Sequence, residues 1–564
     1  MWFIPSGSAG KTSEVRPSLS TARGRAGALA VVLLTGVLGS PGLTDESAVS
    51  LHGDPPKHLM NGVFLADLVR DRPCCSVDAL LEYANLYYAR YPALSLGHHP
   101  PLVAALEAPV FAVFGVSIVA ARIIQFVSFM SAALFLYLLV HERIGWPAGL
   151  AAAGIFATSP AIVYLGQSVM SDMPALALSI VAAYALHRFT VTERRLALTV
   201  FVVSAALSLY AKQLTIFVFP AYLVMAVSAL GVRRLLQRDT LIAAATLVIL
   251  VLPLVPMTLT LSRTNVRVTV RTLTGASRDT TPMTATLAVA LGELFTWSVL
   301  AVIALGAARS VVRPSRTTFM FLVWAATALA GLLAVGRWEP GRYSIYAVPP
   351  LAALAGSLAV AWNSRFSATA ATILLLGAVG HQTIEARQKA PVGASGYEDA
   401  ARFVLASDPG PVVLFSGDID TGYFMFFVRK HDPSRSLVVM RADKILTTSV
   451  MGNPAARDRI ADRSEIYEQL GQFGIRYVVI EDRPSQSAVL EWLREELHSP
   501  RFRERQRIPI GTVDERLLGT DLVVFEYLDA GPPDPDVVLS MDLRIVRREV
   551  EVRLSDLIAR KYLR

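Results

Sequence analysis

Asp54, His98, His99, Asp172, Lys212 and Arg342 are polar or ionisable residues that adjoin long apolar runs in this 564-residue chain. Ionisable groups at the boundary of a bilayer are costly and mark functional positions. Two carboxylates with a lysine and an arginine suit group transfer from a lipid-linked phosphate. One carboxylate can take the proton of an acceptor hydroxyl or amine, and the cations can stabilise the phosphate that departs. Each residue also has a plainer reading. An aspartate before a helix is most often an N-cap. A lysine at the end of a span usually snorkels to the head groups, and a His-His pair beside proline is usually loop. Their expected placement on one face of a membrane favours chemistry over these readings.

That placement follows from composition and charge. The chain is 53% hydrophobic and only 17% charged, against about 25% charged for soluble proteins, so the excess belongs in lipid. The net charge of +8 is read as arginine in short cytoplasmic loops and not as a nucleic-acid surface. Cys74 and Cys75 are adjacent; they cannot build a disulfide framework and are read as free thiols.

Residues 1–25 form a polar, basic tail, followed by an apolar run from Ala26 to about Leu43 that is read as an uncleaved first span. Further runs of membrane-spanning length lie near 118–140, 147–165, 173–189, 196–213, 214–231, 240–260, 284–307, 317–336, 343–362 and 367–384. The expectation is about eleven transmembrane helices in a mainly α polytopic membrane protein. Arg143, then Arg188, Arg194 and Arg195, then Arg233, Arg234 and Arg238, then Arg309, Arg313 and Arg316, then Arg365 all fall in loops on the side of the N-terminus. The positive-inside rule makes that side cytoplasmic. The loop 261–283 is the exception. It puts Arg263, Arg267, Arg271 and Arg278 outside. Either the alternation of sides slips here or these arginines, Arg267 and Arg271 among them, face an anionic ligand; the ligand is preferred because the alternation before and after the loop agrees. Segment 101–116 is apolar but short and contains Glu107 and Pro109. Counting it as a span would place the arginine-rich loops outside, so it is read as an interfacial helix within a long outer loop, 44–117. Loops of that length are usually functional.

After residue 385 the pattern changes. Residues 411–415, 436–440, 475–480 and 521–527 are short apolar runs that read as buried strands, with helical stretches at 397–406 and 488–497. This predicts a soluble α/β domain, 385–564, on the outer side, ending in a basic tail.

Asp54 lies in HGDPPKHLMNGVFLADLVRD and His98 and His99 in GHHPPL. Asp172 lies in TSPAIVYLGQSVMSDMPALAL, Lys212 in AKQLTIFVFP, and Arg342 and Tyr343 in GRYSIYAVPPL. With FGVSIVAARI, which contains Arg122, these stretches resemble the GT-C membrane glycosyltransferases. The likeness is nearest to the bacterial branch of the protein O-mannosyltransferase family, which includes the lipid A aminoarabinose transferases. It covers about two thirds of the chain and rests on the order and spacing of short motifs.

The resemblance implies a transmembrane domain over 26–384 in the bacterial inner membrane. It implies inverting transfer of a sugar from a polyprenyl-phosphate donor to a protein, lipid or glycan acceptor on the outer, periplasmic face. Asp54 would be the base and Asp172 the second carboxylate. Lys212 and Arg342 would hold the donor phosphate with His99 and Tyr343 beside them, and His98 and Arg122 are further candidates. Some GT-C enzymes use a divalent metal. Asp54, His98 and Asp172 could supply ligands, but no ligand spacing supports this. Membrane lipids are expected around the chain, and nucleic acid is not an expected partner. One departure concerns the first acid, which in the family is often an Asp-Glu pair. Here Asp54 precedes Pro55, whereas Asp45 and Glu46 form such a pair very close to the first span. Asp54 is preferred because the amphipathic stretch to Arg70 follows it. The competing classes are a transporter, which should show paired repeats and polar groups at mid-membrane, and a non-catalytic scaffold or sensor. No internal repeat is visible.

Overall fold

The computed structural model describes residues 18–46, 49–50, 53–73, 76–95, 98–261, 270, 282–335, 339–360, 365–388, 393–417, 419, 422–448, 458–512, 514–543 and 548–559. Cys74, Cys75, Arg263, Arg267, Arg271 and Arg278 lie outside these residues.

Every apolar stretch anticipated from the sequence is helical, but not every one is a straight span. Six helices are long and apolar enough to cross a membrane: Ala22–Gly39, Ile118–Arg143, Asp172–Thr192, Gln213–Leu235, Arg238–Leu259 and Arg316–Ala334. Two further stretches are broken. Trp146–Thr158 meets Pro160–Gln167 at 64°, and Met283–Leu294 meets Trp297–Val312 at 112°. The first break falls at Pro160, which lacks the N–H that would continue the helix. At the second, Phe295 and Thr296 are both extended. Arg195–Ala211 and Ile345–Val360 are shorter apolar helices. Arg365–Gln388 carries His381, Gln382, Glu385 and Arg387 toward its end and is less apolar. By length and composition the described residues therefore hold six spans, or eight if each bent pair is one. The expected eleven also counted Arg195–Ala211, Ile345–Val360 and Arg365–Gln388, which are shorter or less apolar than a span requires.

Small residues let the helices meet backbone to backbone. A Cβ on Gly306 would strike the carbonyl of Leu354, and one on Gly356 would strike that of Ala148. These contacts draw Trp297–Val312, Val348–Gly356 and Trp146–Thr158 into one group.

Between the first two long helices lie three more, Pro55–Asp71, Val77–Arg90 and Leu102–Phe114. Pro55 and Pro56 open the first of them, where a missing N–H costs nothing. Ser76 caps the second by accepting the Ala79 amide at 3.2 Å. The third is the segment expected to be too short for a span; it is 13 residues long.

The C-terminal sheet has five strands, in the order Val438–Arg441, Val412–Ser416, Tyr477–Glu481, Asp521–Tyr527, Phe502–Pro509. The first three are parallel and the last two antiparallel to their neighbours. Four of these strands match the apolar runs of the sequence. Phe502–Pro509 was not expected: Arg503, Glu504, Arg505, Gln506 and Arg507 face solvent. It is an edge strand, and charge on an edge prevents further strands from adding.

This sheet shares a hydrophobic core with the loop helices. Leu59, Val63, Tyr87 and Tyr91 pack in one cluster with Tyr397, Phe424, Val439 and Leu557, whereas the long helices form a second cluster. Buried ion pairs cross the same interface. Arg429 donates to both oxygens of Asp67 at 2.9 and 2.6 Å, and Tyr87 adds a bond of 2.7 Å. Arg435 pairs with Asp71 at 2.9 Å. Removing one member of a buried pair costs about 3–5 kcal/mol, because the other charge is left in low dielectric. Arg429→Met is therefore expected to lower the thermal midpoint in detergent, and adding Asp67→Asn to recover part of the loss. An unchanged midpoint in the single variant would show that the pair does not hold this interface.

Candidate active site

Both aspartates sit at helix N-termini, where the helix dipole favours negative charge. Asp54 occupies the N-cap position of Pro55–Asp71 but makes no capping bond with its side chain. Asp172 is the first residue of its helix, and Ser171 holds the cap position. The carboxylates are turned elsewhere. Lys212 ends the Arg195–Ala211 helix in an extended conformation (φ −156°, ψ 123°). This turn keeps the side chain inside, only 9% of the residue exposed, with its ammonium against Asp172. The snorkelling reading of Lys212 does not survive.

Arg342 joins the group. Its Nη2 donates to Asp54 at 2.7 Å and to Asp172 at 3.2 Å, and its Nε donates to Asp172 at 3.3 Å. Its Nη1 donates to Glu339 at 2.9 Å. The preceding amide, that of Gly341, donates to Glu293 at 2.7 Å. Glu293 belongs to the helix before the 112° break, so that break positions the arginine segment. The Tyr343 ring lies 5.1 Å from the Lys212 ammonium and 5.9 Å from the Arg342 guanidinium, within cation–π range. His99 Nε2 is 3.6 Å from Asp54, at ion-pair distance.

The two acids differ in access. The Asp172 side chain is fully buried, whereas that of Asp54 is 19% exposed. Burial alone would raise the Asp54 carboxyl. His99, Arg342 and Lys57 outweigh it and hold the group well below the usual carboxylate range. Asp54 is thus ionised, reachable and restrained by cations, whereas Asp172 is committed to fixing two of them.

The remaining candidates fall outside this contact group. His98 packs edge-on against His99, 4.8 Å between centroids. Arg122 donates to the carbonyls of Gly42, at 2.7 Å, and Asp45. Glu46 accepts from Ser117, from the Ile118 and Val119 amides at 3.3 and 3.4 Å, and from Lys430 at 2.8 Å. Glu46 therefore opens the Ile118–Arg143 helix, and the acid in the cluster is Asp54. Arg267 and Arg271 lie outside the described residues.

Three neighbours were missed. Lys57 reaches Asp54 at 3.4 Å, Glu339 pairs with Arg342, and the buried His58 ring packs, tilted by 42°, 4.4 Å from that of His99. Positions three and four residues after Asp54 share its helix face, so Lys57 and His58 carried a usable signal. Among the described residues no three His, Cys, Asp or Glu are grouped to hold a metal ion. Asp54, His98 and Asp172 do not fit such a site, since Lys212 and Arg342 occupy the carboxylates between them.

A family model described as dolichyl-phosphate-mannose-protein mannosyltransferase matches residues 98–257, which include His99, Asp172 and Lys212. The crystal structure of ArnT from Cupriavidus metallidurans bound to undecaprenyl phosphate is similar over 91% of this chain and 100% of that one. The TM-score is 0.55 at 14% sequence identity. This chain has the GT-C fold. Apo ArnT from the same organism is similar to it at TM-score 0.54 and 13% identity, over 89% of this chain and 98% of that one. No curated protein matches the sequence. The expected architecture is thereby met: a GT-C polytopic helical part with a sheet-containing C-terminal region. Asp54 and Arg342 lie outside the segment matched by the family model, so their membership of the charged cluster rests on the geometry above.

Proposed function

We propose that this chain is a membrane glycosyltransferase that moves a sugar, with inversion, from a polyprenyl-phosphate donor to an acceptor on the outer face of the membrane. The observation that carries this reading is Arg342 bridging Asp54 and Asp172, with Lys212 on the far side of Asp172. A lipid-phosphate donor is supported by the description of the matched family and by the undecaprenyl phosphate in the similar ArnT structure. In this reading residues 1–25 are cytoplasmic, 26–384 form the membrane domain and 385–564 lie outside.

The charges around the cluster balance: Asp54, Asp172 and Glu339 against Lys57, Lys212 and Arg342. An incoming phosphodiester adds one negative charge and competes for the cations. Lys212 and Arg342 turn toward it, and Asp172 keeps both in place. Asp54 loses one of the cations that depress it and becomes more basic. It then takes the proton from the acceptor group as the acceptor atom attacks the anomeric carbon. The bond from that carbon to the phosphate oxygen breaks, and the two cations stabilise the charge gathering on the departing polyprenyl phosphate. His99 and Tyr343 line the path beside them.

The test is to delete the gene and examine envelope glycans, glycoproteins and lipids by mass spectrometry. The expected result is loss of a single sugar residue, restored by the wild-type gene and not by Arg342→Met. An unaltered envelope profile would instead favour the scaffold or transporter classes.

A further inference from the structure

A cavity of about 440 Å³ lies between the loop helices and the C-terminal sheet. Ligand pockets run from about 300 to 1,000 Å³. On the sheet side it is lined at the C-terminal ends of the parallel strands. Gly417 follows Val412–Ser416, Arg441 ends Val438–Arg441, and Arg483 lies just past Tyr477–Glu481. After Val412–Ser416 the chain adds its next strand on one side and the following one on the other. That reversal is a topological switch point, where open α/β sheets take their ligands. The opposite wall includes Gly53 and Lys57, which flank Asp54. Lys57 is 3.4 Å from Asp54, so the cavity and the charged cluster share a wall.

The lining is basic. Lys57, Arg441, Lys444 and Arg483 face the cavity against one carboxylate among the described residues, Asp443. Asp443 is already taken by Arg441, at 2.6 and 2.8 Å. Asp418 and Asp420 lie outside the described residues. The Nη1 of Arg483 is buried and has no hydrogen-bond partner among the described residues. A buried donor without a partner is destabilising, the more so when it is charged, and an anion in the cavity would offset that cost.

We propose that this cavity is the acceptor subsite and that it selects an acceptor bearing a phosphate group, held by Arg483, with the acceptor nucleophile directed past Lys57 to Asp54. Its role as an acceptor subsite rests on the transferase reading; its affinity for a phosphate does not. The C-terminal sheet is then the element that chooses the acceptor, and the helical part the element that holds the donor.

The test uses the full chain in phosphatidylcholine nanodiscs, titrated with glucose 1-phosphate and, separately, with methyl α-glucoside. Binding is read by saturation-transfer NMR. Glucose 1-phosphate should bind, weaken as ionic strength rises, and weaken at least tenfold in Arg483→Gln, with Arg483→Lys intermediate. Gln486→Glu, at an exposed position on the same lining, should also weaken it, and this variant guards against a folding defect in Arg483→Gln. Repeating the titration in phosphatidylglycerol nanodiscs separates two sources of the phosphate. Competition by the anionic lipid supports a lipid headgroup as the natural occupant, and unchanged affinity supports a soluble or glycan-borne phosphate. Equal binding of the neutral glucoside, or undiminished binding in both Arg483→Gln and Gln486→Glu, would overturn the proposal. Asp172→Asn keeps the two readings apart. It should abolish transfer and leave glucose 1-phosphate binding intact. Transfer without the phosphate-selective site sinks only the acceptor inference, and the site without transfer sinks the enzymatic reading and with it the acceptor role, leaving the phosphate affinity standing.

Discussion

Asp54→Asn is expected to lower sugar transfer by about 10²- to 10⁴-fold, the usual worth of a general base, with little change in folding stability. Asparagine keeps the shape of the side chain and still accepts a hydrogen bond from Arg342, which retains Asp172 and Glu339 as charged partners. What is lost is a group that can take a proton. The pH dependence follows from the depressed carboxyl. A base that works in its ionised form loses activity as pH falls through its pKa. In the free enzyme that point lies below the ordinary aspartate value of about 4, so the acid limb of kcat/KM should lie there. In the proposed donor complex Arg342 turns to the phosphate and releases the Asp54 carboxyl upward, so the acid limb of kcat should appear at higher pH. Rate measurements across pH on wild-type protein and Asp54→Asn check both statements. Retained transfer in the variant, or a kcat limb below that of kcat/KM, would remove Asp54 from the role of base.

Asp172→Asn should act differently, although it changes the same chemical group in the same cluster. Asp172 is fully buried and is the shared partner of Lys212 and Arg342. Neutralising it strands Lys212 as a buried cation, at a cost of about 3–5 kcal/mol. Transfer should also fall by at least about 10²-fold, the effect of losing preorganised charge at the departing group. A paired change separates the two losses. Asp172→Asn with Lys212→Met removes both buried charges and should recover much of the thermal midpoint while leaving transfer as low as before. Recovery of transfer in the double variant would mean that neither residue handles the donor phosphate. An undiminished thermal midpoint in the single variant would mean that the site is wet enough to leave Lys212 solvated.

The contrast between these aspartates shows how the site was only partly legible in the sequence. Asp54, Asp172, Lys212 and Arg342 could all be picked out because each is a charge beside an apolar run, an anomaly visible at single positions. Their contact was not visible. Arg342 lies 288 residues from Asp54 and 170 from Asp172, and no local periodicity reports such a meeting. The same limit explains Arg122, which stood as a further site candidate but holds the carbonyls of Gly42 and Asp45. It also explains Asp45–Glu46, a pair with the right residue types whose Glu46 opens a helix.

The sequence by itself determined what is local. Apolar runs of sufficient length become helices because nothing else satisfies a backbone in lipid, and apolar runs near the C-terminus, bounded by turn residues, became the buried strands of a sheet. Charge at single positions marked where function could reside. The tertiary structure alone decided the rest: where Pro160 and Phe295 break two spans, how Asp67 and Arg429 fasten the sheet to the loop, and which charges neutralise one another. The physical reason is range. Helix and strand formation are set by a residue and its near neighbours. Pairing buried charges depends on which distant segments the packing of whole helices brings within about 3 Å, and that distance is fixed only when the chain has folded.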